Sequence, residues 1–149
     1  MISNKFRYAL RALIFLAERW PTPAAIPDIA VGARAPRKFL ETILLEMKLD
    51  GLLISRRGRT GGYSLAMPAE EISMAAVLRC IDGPLALAPC ASRTAFRACD
   101  DCEDVVTCRI RHVLLEGRDA LAAVLEQRTL ADLIGQPAES DEAKIDGLI

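Results

Sequence analysis

The stretch "IPDIAVGARAPRKFLETILLEMKLDGLLISRRGRTGGYSLA", from Ile26 to Ala66, decides the fold. "IPDIAVGARA" reads as a short helix from Pro27, with proline in the first turn and Gly32 near the end. Pro36 opens a second helix. In it Phe39, Leu40, Ile43, Leu44 and Met47 are expected to supply the buried stripe, and Asp50-Gly51 closes it. "LLIS" and "YSLA" read as two short strands, joined by the Gly-rich basic loop "RRGRTGG" into a hairpin. "GARA" is then a tight turn between two helices.

Outward from this stretch the chain remains helical. Ser3 or Asn4 caps a first helix, with Phe6, Leu10, Leu13, Ala17 and Trp20 on one apolar face, and "PTPAA" ends it. Beyond the hairpin, "PAEEISMAAVLRCIDG" predicts a helix with Ile72, Ala76, Val77 and Ile81 inside and Cys80 as a buried structural thiol. "RIRHVLLEGRDALAAVLEQRTLADLIG" predicts a long amphipathic helix with a capped final turn from Thr129. Its Val113, Leu114, Leu121 and Val124 exceed what one small domain covers, so they are expected to pack against a second copy.

The fold class that follows is mainly α (α+β): a winged helix-turn-helix domain with a long C-terminal dimerisation helix. The expected organisation is a winged domain over residues 1–83 and a cysteine-bearing sensor loop over 84–108. A dimerisation helix over 109–134 and a frayed acidic tail over 135–149 complete it.

At 149 residues, 52% hydrophobic and 26% charged, the chain can bury a core without disulfide staples. The apolar run near the N-terminus is interrupted by Arg11, is too short to span a bilayer, and lacks a small-residue cleavage site. A cytoplasmic location is expected, where thiols stay free or bind metal. The net charge of −1 conceals an asymmetry. Residues 1–65 carry eleven Lys/Arg against five Asp/Glu, and residues 66–149 carry eight against fifteen. A basic front half suggests a polyanionic partner.

That partner is expected to be double-stranded DNA with a palindromic operator. The second helix of the helix-turn-helix would enter the major groove, with Arg37, Lys38 and Glu41 facing outward. Arg and Lys can read guanine, and Glu can accept from cytosine N4. The hairpin loop adds Arg56, Arg57 and Arg59 among glycines that let the backbone approach a phosphate or a narrow groove. No phosphate loop, Ser-His-Asp set or carboxylate pair in a credible pocket is present, so no enzyme is expected.

Four of the five cysteines, Cys90, Cys99, Cys102 and Cys108, fall within 19 residues. Clustered thiols in a reducing compartment favour soft-metal ligation. The candidates are an iron–sulfur cluster, a tetrahedral zinc, or a metal-free thiol set in which Cys99 and Cys102 pair as a redox disulfide.

"KFRYALRALIFLA", "IPDIA", "APRKFLETIL", "DGLLISRRGRTGGYSLA" and "ISMAAVLRCIDG" follow one another as in a bacterial regulator family, which the chain resembles over residues 2–134. It is the Rrf-two family, and "RGRTGGY" matches its wing. The resemblance implies a dimeric winged-helix DNA-binding regulator with a cysteine loop before its dimer helix. It places DNA contacts on Lys38, Glu41 and Arg57. It also implies a two-iron or four-iron cluster on three loop cysteines, matched by Cys90, Cys102 and Cys108. Cys99 is extra, and the fourth ligand stays open between Cys99 and His112, which lies one helical turn beyond Cys108. In one branch a histidine lies three residues after the last cysteine. Here Arg111 stands there and His112, the only histidine, follows.

Overall fold

The structure, a computed structural model, describes residues 2–134. The expected tail, 135–149, lies outside the described residues. The elements are α1 (Asn4–Ala17), α2 (Ile26–Gly32), α3 (Arg37–Leu49), β1 (Leu53–Arg56), β2 (Gly62–Leu65), α4 (Met74–Asp82), α5 (Arg109–Gln127) and α6 (Leu130–Ile134). Single 3₁₀ turns lie at Ala69–Glu71 and Pro89–Ala91.

Helix α1 begins where Ser3 Oγ accepts the Phe6 N–H at 3.0 Å. This satisfies one of the donors left over at a helix start. The Ser3 N–H and hydroxyl also bond Asp82 at the far end of α4, so the cap ties the first helix to the fourth. Ser73 caps α4 in the same way, accepting from Ala76 N at 3.1 Å. The core gathers Leu13 and Leu16 of α1, Ile29 of α2, Leu40, Ile43, Leu44 and Met47 of α3, and Val77 of α4.

Two residues depart from the expected stripes. Trp20 is 46% exposed, because α1 ends at Ala17 and its periodicity stops there. Phe39 is 43% exposed. It is one position, or about 100°, around the helix from Leu40, so it sits at the edge of the stripe, where its ring meets Tyr8 edge-on at 5.9 Å.

β1 and β2 pair antiparallel, with Leu53 opposite Leu65 and Arg56 opposite Gly62. A third short segment joins them: Ala24 and Tyr63 exchange two backbone hydrogen bonds of 2.9 Å. Gly62 permits this approach. Its φ is +141°, and a Cβ there would lie 2.0 Å from the Ala24 carbonyl oxygen.

The C-terminal part is not one continuous helix. α5 ends at Gln127, and Arg128 turns extended. The chain then bridges back to the winged domain: Met74 N–H donates to Arg128 O and Leu130 N–H to Ile72 O, each at 2.8 Å. α6 packs on α1 with Leu130 fully buried.

Candidate functional site

The helix-turn-helix comes from α2, the turn at Ala33–Pro36 and α3. Arg34 in the turn adopts φ +49°, which swings the chain sharply between the helices. Burying Leu40, Ile43, Leu44 and Met47 leaves Arg37, Lys38 and Glu41 together on the exposed face of α3. There Arg37 Nε donates to Glu41 Oε1 at 3.2 Å, one turn apart.

The hairpin tip spans Arg57–Gly61. Arg56, Arg57 and Arg59 are all exposed, and among the described residues no ion pair engages them. Gly58 turns the tip with φ +107° and open space around it. Gly61 donates its N–H to Gly58 O at 3.1 Å, and a Cβ on it would strike the Arg56 carbonyl at 2.3 Å.

Between the 84–108 segment and the start of α5 lies a cavity of about 520 Å³. Cys90, Cys99, Cys102 and Cys108 all line it. Cys90 is buried in the 3₁₀ turn, Cys102 and Cys108 are half-buried, and Cys99 is exposed. The Cys99 thiol is pushed up, chiefly by its hydrogen bond and charge coupling with Cys90. Among the described residues, no three His, Cys, Asp or Glu side chains converge closely enough to hold one metal ion.

Arginines lace this segment to α5. Arg111 Nε donates to the Cys90 carbonyl at 2.9 Å, and its guanidinium lies 5.7 Å from the Phe96 ring centre. Arg93 grips Asp119 with both Nε, at 2.9 Å, and Nη2. Arg118 bonds Asp119 at 2.8 Å and the Leu85 carbonyl at 3.2 Å. The two guanidinium groups hold the Asp119 carboxyl far below the usual carboxylate range. His112 takes no part in the cavity lining; its Nε2 lies 3.1 Å from the Val106 carbonyl.

Comparison with known proteins follows this geometry closely. Residues 2–136 match the model of a family described as "Rrf2: Iron-dependent Transcriptional regulator". The chain belongs to the Rrf2, or Rrf-two, family. An HTH-type regulator described as rrf2-like from Rhodobacter capsulatus is 43% identical over 144 residues, covering 93% of this chain and 96% of that protein. The HTH-type transcriptional regulator NsrR of Geobacillus kaustophilus is 34% identical, over 89% and 88% of the two chains. Among solved structures, CymR, the global cysteine regulator of B. subtilis, superposes with a TM-score of 0.71 at 29% identity, over 90% and 95% of the chains.

This Rrf2 chain is therefore a DNA-binding transcriptional regulator with the winged helical fold of its relatives, and the family is one of regulators rather than enzymes. No helix among the described residues is long and apolar enough to cross a membrane. Sequence reasoning placed the cysteines in one segment but missed the arginines that hold it. Arg93, Arg111 and Arg118 carry no motif, and the bonds by which they tie the segment to α5 span 21 to 33 residues of chain. Cys80 also differs from expectation. It is half-buried, with its thiol pushed up to about 11 by burial, then by Asp50 and Glu46.

Proposed function

We propose that this regulator works as a homodimer on a palindromic operator, reading it with Arg37, Lys38 and Glu41 of α3 and with Arg56, Arg57 and Arg59 of the wing. We propose further that it senses through an iron–sulfur cluster held by Cys90, Cys99, Cys102 and Cys108. The observation that carries the sensing reading is the convergence of all four loop cysteines on one cavity. The donor set fits such a group. Thiolates are the soft ligands that clusters take, and a cluster spreads its ligands over several irons. A tetrahedral zinc on the same thiolates is the competing occupant, and it would need four sulfurs drawn to about 2.3 Å from one ion.

A bound cluster supplies responsiveness to iron supply, redox state or nitric oxide. The chain's own residues do the rest. Arg111 and the Arg93–Asp119–Arg118 set fix the first half of the loop to α5; the Cys99–Cys108 half meets α5 through the His112–Val106 contact, and ligation would add to its order. His112, held against Val106 O and outside the cavity, is a poor fourth ligand beside Cys99. Ile110, Val113 and Val124 of α5 are 72%, 67% and 58% exposed, which supports a second copy as their cover.

One observation favours a second reading, a metal-free thiol switch. Cys99 and Cys102 lie in one turn, with the Cys102 N–H donating to the Cys99 carbonyl at 3.2 Å, and an oxidant would join them as a disulfide. Anaerobic purification followed by visible absorption with iron and sulfide counts separates the readings. Charge-transfer bands with stoichiometric iron and sulfide are expected. Colourless, iron-free protein retaining operator binding would transfer the function to the thiols.

A further inference from the structure

A second basic surface borders the wing. The C-terminal end of α1, the α1–α2 segment, α2 and the wing tip enclose an open groove of about 880 Å³. Arg19 and Thr22 stand on one side of it and Arg59 and Thr60 on the other. Arg19 is held in place although its side chain is 47% exposed. Its guanidinium carbon lies 3.7 Å from the centre of the Phe15 ring, and Nη1 donates to Phe15 O at 3.2 Å. The Phe15 ring in turn rests where a Cβ on Gly32 would sit, 2.0 Å from that position. So α2 backs the ring, the ring backs the guanidinium, and the remaining N–H groups face outward. The base of the opposite wall is anchored by the Ala24–Tyr63 bridge, which ties β2 to the α1–α2 segment. Glu18 lies 3.9 Å from Arg19, at a surface where such a pair is weak.

We propose that Arg19 and Arg59 form a clamp for one DNA backbone phosphate on the side of the wing that faces α1. The argument is geometric and rests on the reading that the wing enters a minor groove. That groove is about 6 Å wide, so a tip inserted in it is flanked by phosphates on both sides. The wall of the tip that carries Arg59 and Thr60 is also a wall of this groove. A strand running past that wall meets a guanidinium already ordered by stacking, which loses little freedom on binding a phosphate. Thr22 and Thr60 offer hydroxyl donors beside it. Asp28 lines the same groove and opposes the phosphate, so it sets an upper limit on the clamp's strength.

The test is binding of the full-length protein to its operator, or to a mixed pool of duplexes if no operator is known, titrated from about 50 to 200 mM salt. Arg19→Ala, Arg59→Ala and Arg57→Ala are compared with wild type, each checked for an unchanged melting curve. Losing one phosphate contact per protomer lowers the slope of log K against log salt by about 0.9, or on the order of 2 for a dimer. Arg19→Ala and Arg59→Ala are expected to show this drop and to weaken binding uniformly across sequences. Asp28→Asn is expected to tighten binding. Ethylation interference should lose one protected phosphate beside the wing footprint in Arg19→Ala. If Arg57→Ala flattens the slope while Arg19→Ala leaves it at the wild-type value, the clamp is overturned and the wing reading stands. If neither does, the wing reading itself fails and the clamp with it.

Discussion

Glu41 accepts from Arg37 in the free protein, so neither side chain is spent on solvent alone. In the proposed complex it would exchange that partner for a cytosine amine at a base edge and repel phosphate. Replacing Glu41 with Ala is expected to relax base preference at one position, worth roughly 1–3 kcal/mol of discrimination. A binding-site selection compared with wild type reads this directly. The cysteines divide the same way, by surroundings rather than by type. Cys102→Ala or Cys108→Ala should abolish a visible chromophore and give the DNA affinity of cluster-free protein; Cys80→Ala should do neither. Cys80 is expected to alkylate more slowly at pH 7 than the exposed Cys99, read by mass spectrometry after timed iodoacetamide exposure. Its thiol rises from the ordinary 9.0 to about 11, with Asp50 and Glu46 facing it and Lys5 opposing them weakly. Folding therefore favours the protonated form. That contribution is whole below about pH 9 and is lost as pH climbs through 11. Urea unfolding of Cys80→Ala should show a shallower alkaline decline than wild type.

At the scale of elements, the wing depends on one glycine more than on its arginines. Gly62→Ala forces both an unfavourable φ and a collision with Ala24 O. The φ strain alone costs about 1–3 kcal/mol, and the bridge to Tyr63 is lost besides. Gly58→Ala meets open space and should cost less. Urea midpoints of the two variants check the order. This element-scale logic also explains what the sequence revealed. The 40, 43, 44, 47 stripe of α3 and the hairpin were legible because burial imposes its period on residue type. Trp20 and Phe39 were misplaced because an apolar residue next to a stripe looks the same in sequence whether or not the helix continues or rotates it inward. The grouping of cysteines was legible in spacing. Their cavity, the burial of Cys90 and the diversion of His112 to Val106 O depend on tertiary contacts that spacing does not encode. The capped turn from Thr129 was legible, and α6 begins there with Asp132 accepting from the Thr129 N–H. The bridge of Thr129 to Ser73, which returns the chain to the winged domain, was not.

For the whole molecule, the uncovered side of α5 and the opposed charges of the two halves point the same way. The second half of the sequence is net acidic, and the first half, which carries α3 and the wing, is net basic. Two copies joined along α5 would present two α3 helices, which is how a two-fold protein matches a palindrome. Wild-type protein is expected to sediment as a dimer at micromolar concentration without DNA. Val113→Asp and Val124→Asp would each place a charge in the seam and shift the species toward monomer. Since those side chains are exposed within one protomer, secondary structure by circular dichroism should be unchanged.

The return of the chain after α5 has a mechanical consequence. The bridge from Arg128–Leu130 to Ile72–Met74 fastens the C-terminal end of a 19-residue rod to the winged domain. The other end is fastened through the cysteine segment. Such a rod is about 28 Å long, so its fixed end acts as a fulcrum and its cysteine end as the long arm. A tilt of about 5° carries the cysteine end roughly 2.5 Å, given the rise of 1.5 Å per residue. A partner seated along that rod would be displaced most near Cys108 and hardly at all near Gln127.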